Sequence, residues 1–126
     1  MPPEAAREGR DWFTRAERDL AAADSLLNGP VRLPDIVVYH CQQAAEKAYL
    51  AARDEALPRT HNLPLLVELC QAVAERFSEL GEAARGLTPY AEQFRYPGGP
   101  LEPALAEADE ALRLAHEIVD YVRSRL

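Results

Sequence analysis

His40, Gln43 and Lys47 stand at i, i+3 and i+7, a spacing that stacks three polar side chains on one stripe of a helix. The same stretch reads Gln42-Gln43-Ala44-Ala45-Glu46-Lys47, and His61 and Arg95-Tyr96-Pro97 follow downstream. These residue types suit recognition of a phosphorylated, flat-ringed ligand. Lys47 and Arg95 are the cations that would hold a phosphate, His61 would hydrogen-bond a base or phosphate, and Tyr96 or Tyr39 would stack on a base. A plainer reading stands beside this one. Glu46 and Lys47 are then surface charges, Gln42 and Gln43 bond across a subunit interface, His61 caps a helix end, and Arg95 ties down its own loop. Tyr39, His40 and Tyr96 also read as packing residues.

Other chemistries lack their residues. No glycine-rich phosphate loop, CxxC pair or Glu-x-x-His pair occurs. His116-Glu117-Ile118-Val119-Asp120 resembles half of a zinc helix, but Asp120 stands where the second histidine would be. Neither a metal nor a cofactor is expected. Cys41 and Cys70 have no metal-type spacing and sit in apolar helical contexts, so buried free thiols are expected.

The elements that must position these residues all read as helix. A chain of 126 residues fits one domain with a core of about 9–125, rich in alanine, leucine, glutamate and arginine. The first helix is predicted over 9–27, with Trp12, Ala16, Leu20, Ala23 and Leu27 as its buried stripe. Asn28-Gly29-Pro30 stops it. Asp35 is the expected N-cap of a central helix over 35–55, whose arc of Val37, Val38, Cys41, Ala44, Ala45, Ala48, Tyr49, Ala51 and Ala52 carries no charge. Small side chains there let neighbouring backbones approach closely.

Asn62 is the expected N-cap of a third helix, with Pro64 in its first turn and Leu63, Leu66, Val67, Cys70, Val73, Ala74 and Phe77 on its core face. A weaker segment after Ser78 contains Gly81, Gly86 and Pro89 and is expected to divide into two short pieces. The run 95–100 then breaks any helix. Leu105, Ala108, Leu112, Ala115, Val119, Val122 and Leu126 keep a 3-4-3-4 rhythm along a last helix over 103–125. Short connections between helices of this kind predict an all-α, up-and-down bundle of four or five helices.

The net charge of −7, with acids spread along the chain, argues against tight nonspecific binding to nucleic acid by a broadly basic surface. Thirteen of the fourteen basic residues are arginine, which singles out Lys47, the one lysine. No apolar run approaches the length of a membrane span, and the start of the chain has no hydrophobic signal core, so no membrane association and a cytoplasmic location are expected.

The QQAAEKA string, the downstream His61-Asn62-Leu63, Arg95-Tyr96-Pro97, Trp12 and the Asp19-Leu20 pair together resemble the HEPN family of small helical nucleotide-binding domains, over about 12–122. The resemblance implies a bundle that usually forms a homodimer. It also implies association with a nucleotide or RNA and pairing with a minimal nucleotidyltransferase, in some cases as a toxin–antitoxin system. Many members are metal-independent ribonucleases that use an arginine followed a few residues later by a histidine. This sequence departs from that pattern: no histidine follows Arg95 until His116, Arg53 and His61 have seven residues between them, and Arg113 and His116 only two. The expected role is therefore binding without catalysis of its own. The alternatives are a divergent ribonuclease using Arg95 with His61 or His116, and a purely structural oligomerisation module.

Overall fold

The computed structural model describes residues 3–52, 62–65 and 80–125, with side chains from residue 7 onward. It is all-α, with no strand among the described residues. The helices are α1 (Pro3–Asn28), α2 (Pro34–Ala52), α3 (Gly81–Leu87) and α4 (Leu105–Arg125), and a 3₁₀ turn (Thr88–Ala91) follows α3. No described helix is long and apolar enough to cross a membrane.

The short connection after Asn28 folds α2 back on α1. Leu33 N donates to Leu26 O at 3.2 Å at one end of the pair. At the other end, a β-carbon built on Gly9 would stand 3.1 Å from the carbonyl oxygen of Ala51, so bare glycine lets α1 meet α2 closely. α4 also runs antiparallel to α1, because Asp24 meets His116 while Glu17 meets Arg123. α2 and α4 therefore both run opposite to α1, as the corresponding helices of an up-and-down bundle do.

Alanines set the spacing of this core. Ala16 and Ala23 of α1, Ala44, Ala45 and Ala48 of α2, and Ala108 and Ala115 of α4 are all fully buried. Helices with such small contact residues pack at the close end of the usual range. Leu112, Ile118, Val119 and Val122 fill the remaining space from α4.

Two helix starts and one core position differ from expectation. α1 begins at Pro3 rather than near Gly9, and Phe13, not Trp12, enters the core, leaving Trp12 partly buried at its edge. Phe13, Ala16, Leu20, Ala23 and Leu27 form a 3-4-3-4 seam, which tracks a neighbouring helix better than the 4-4-3-4 stripe through Trp12. α2 begins at Pro34, the first-turn position where its missing N–H is harmless, so Asp35 lies inside the first turn instead of capping it. There its carboxylate complements the positive end of the helix dipole.

Other expectations hold. Asn62 Oδ1 accepts from Leu65 N at 3.2 Å, as an N-cap does, and the weaker segment divides into α3 and the 3₁₀ turn. Thr88 Oγ1 fastens the two regions, accepting from Leu63 N at 3.2 Å and donating to Ala84 O at 2.9 Å. Leu66, Val67, Val73, Ala74 and Phe77, as well as Cys70, lie outside the described residues.

Cys41 is fully buried in α2, and burial, with the charge of Asp24 adding to it, pushes its thiol up to about 12. Nucleophilic attack needs the thiolate, so this sulfur is inert while the bundle is folded. In a Cys70→Ser background, iodoacetamide should leave the native protein unlabelled and label it fully in denaturant. Rapid native labelling would contradict this burial.

Candidate functional site

Antiparallel packing sets Asp19 of α1 opposite the polar stripe of α2. Lys47 Nζ donates to Asp19 Oδ2 at 2.6 Å, and His40 Nδ1 lies 2.8 Å from Asp19 Oδ1. An ionised carboxylate only accepts, so Nδ1 carries the proton and Nε2 is left as the second functional nitrogen of the ring. The Asp19 side chain is 12% exposed, against 25% for Lys47 and 28% for His40. Burial by itself would raise the Asp19 pKa, but hydrogen bonds from His40 and Lys47, together with their charges, hold it below its usual value. Lys47 is therefore committed to Asp19 rather than offered to a ligand.

The remaining polar residues of the string bond among themselves. Gln43 Nε2 donates to Gln42 Oε1 at 2.7 Å and to Glu46 Oε2 at 3.2 Å, while Gln42 Nε2 donates to Glu46 Oε2 at 3.3 Å. Gln42 is fully buried. A glutamate one turn further along makes that burial tolerable, since it accepts what the amide must donate.

Arg95 comes to the same helix from the far end of the chain. Its Nη1 donates to Ala91 O at 3.0 Å, which ties the loop as the plainer reading expected. Its guanidinium carbon also lies 4.3 Å from the centre of the Tyr39 ring, a close cation–π contact. Arg95 is exposed and pairs with no carboxylate among the described residues. Asp35, Ile36, Tyr39, His40, Phe94 and Arg95 line a cleft of about 390 Å³.

The backbone aims Arg95 at some cost. Phe94 adopts a left-handed φ of 69°, which a bulky residue rarely does. Its ring stacks on Tyr90 at 6.4 Å between centroids. Tyr90 is buried and donates from its hydroxyl to Glu107 Oε1 at 2.7 Å, which fastens the turn to the first turn of α4. Burial, then the bond to Glu107 and its charge, raises the Tyr90 pKa, so the hydroxyl stays protonated and donating. Gly98, at φ 98°, supplies the other left-handed position in the connection to α4.

Of the residues given a ligand-contacting role in the sequence, the cleft contains Arg95 and Tyr39, and His40 of the polar stripe lines it as well. Lys47 joins it indirectly, through Asp19 and His40. Tyr96 is 66% exposed and is not part of the lining. Gln42, Gln43 and Glu46 form their own cluster, and His61 lies outside the described residues. Asp35, Ile36 and Phe94 complete the cleft. The sequence pointed to His40 only through its shared stripe with Lys47, and to Phe94 not at all.

His116 bonds Asp24 of α1, with Nε2 3.2 Å from Oδ2, and Asp120 accepts from Arg123. No group of three or more metal-ligating side chains occurs among the described residues. In comparisons with known proteins, a family model described as HEPN domain matches residues 10–125. No match was found among curated proteins or among solved structures.

Proposed function

The chain belongs to the HEPN domain family, which makes it a nucleotide- or RNA-associated helical protein, and on that premise we propose that it binds its ligand at the Arg95 cleft without cleaving it. It does so as a homodimer and together with a minimal nucleotidyltransferase, in a paired system of the toxin–antitoxin kind. One observation carries the choice of site. Arg95 is an exposed cation with no carboxylate partner among the described residues, held against an aromatic ring at the edge of a cleft. Lys47, the other cation considered, is neutralised.

A local site of this kind suits an acidic protein. With a net charge of −7 the whole surface repels a polyanion, so affinity has to come from stacking and directed hydrogen bonds rather than from a broad basic field.

The second reading, a divergent metal-independent ribonuclease, draws on His40. Its ring is oriented by Asp19 and lines the same cleft as Arg95, the arrangement wanted of a general acid or base beside a cation. The test is incubation of a mixed pool of structured and single-stranded RNA with wild type, Arg95→Ala and His40→Ala in metal-free buffer. RNA bound and recovered intact is the expected result. Saturable cleavage that both substitutions abolish would replace the binding reading with the enzymatic one.

A further inference from the structure

We propose that the Arg95 cleft receives a nucleobase rather than a phosphate, and that Asp35 selects guanine by accepting the N–H groups of its hydrogen-bonding edge. The proposal rests on the nucleotide reading above and adds orientation and specificity to it.

The lining of the cleft divides into three parts. Ile36 and Phe94 are apolar, Tyr39 and Arg95 form a cation–π pair, and Asp35 and His40 contribute a carboxylate and an imidazole. A guanidinium with one face on a tyrosine ring offers its other face to a second flat π system, and apolar walls favour a base over a hydrated phosphate. Asp35 makes no ion pair or side-chain hydrogen bond among the described residues. A negative charge without a partner opposes a phosphate inside the cleft, so the phosphate of a bound nucleotide belongs on the outward donors of Arg95. The base lies inward.

A carboxylate accepts hydrogen bonds and donates none, so it discriminates among bases by their donors. Guanine presents N1–H and the N2 amino group side by side, matching two carboxylate oxygens. Adenine and cytosine each present one amino group beside an acceptor nitrogen. Uracil presents one N–H flanked by two carbonyls, whose lone pairs face the carboxylate. Guanine should therefore bind best and uracil worst.

The experiment is equilibrium binding of GMP, AMP, CMP and UMP to the full chain as wild type, Asp35→Asn and Arg95→Ala, with thermal melts to verify that each variant is folded. Wild type should prefer GMP over UMP by roughly tenfold, the scale of a charge-assisted hydrogen bond pair. Asp35→Asn should reduce that preference to within about twofold, as an amide both donates and accepts. Equal binding of all four by wild type, weakened in Arg95→Ala, would overturn base selection while leaving the nucleotide reading in place. A guanine preference that survives in Asp35→Asn would overturn the role of Asp35. Absence of nucleotide binding would overturn both.

Discussion

Asp19→Ala is expected to destabilise the bundle by about 2 kcal/mol, between the cost of breaking an exposed ion pair and that of breaking a buried one. Asp19 is mostly buried and its two oxygens serve different partners, so its loss strands Lys47 and His40 together against α1. For a chain of this length the midpoint of thermal unfolding should fall by about 8 °C. A melt within about 2 °C of wild type would show that the triad contributes little.

The same carboxylate makes stability depend on acid. Its pKa in the folded protein lies below the ordinary value of 3.8. Its contribution is therefore fully present above that ordinary value and is lost as pH falls through the lower folded value. Wild type should lose stability on acidification below about pH 4 more steeply than Asp19→Asn, which has no group to protonate there. Parallel curves for the two proteins would remove Asp19 from the account of acid sensitivity.

The helical frame was legible because each element carries a local cue. The uncharged arc of α2, the heptad of α4, Asn62 as a cap and the run 95–100 as a break act through neighbours in sequence, where residue type and spacing suffice. The site was less legible because its contacts are long-range. Nothing local joins Asp19 to His40 and Lys47, residues 21 and 28 positions away, although the resemblance drew attention to both ends of that link. Lys47 consequently read as a free cation. Phe94 was invisible because its left-handed backbone arises from packing on Tyr90 and from the turn's attachment to α4, not from its own preferences.

Arg95→Ala is expected to weaken binding of a short single-stranded RNA by more than about tenfold, because it removes a charge, a fork of donors and a stacking surface together. It should leave folding nearly intact, since the side chain is exposed and makes one bond to the backbone. Arg95→Lys separates these effects. Lysine keeps the charge but loses the planar fork and the stack, so it should recover only a small part of the affinity. Full recovery by lysine would mean that charge alone accounts for binding, leaving no role for the contact with Tyr39.

The claim that the ligand sits where Arg95 meets Tyr39 is tested most directly by following both side chains in solution. In an isotope-labelled sample titrated with GMP, the Arg95 Nε–H and Tyr39 ring signals should shift together and saturate at one dissociation constant, with Tyr96 moving less. Saturable shifts that bypass Arg95 and Tyr39, and gather elsewhere on the bundle, would contradict it.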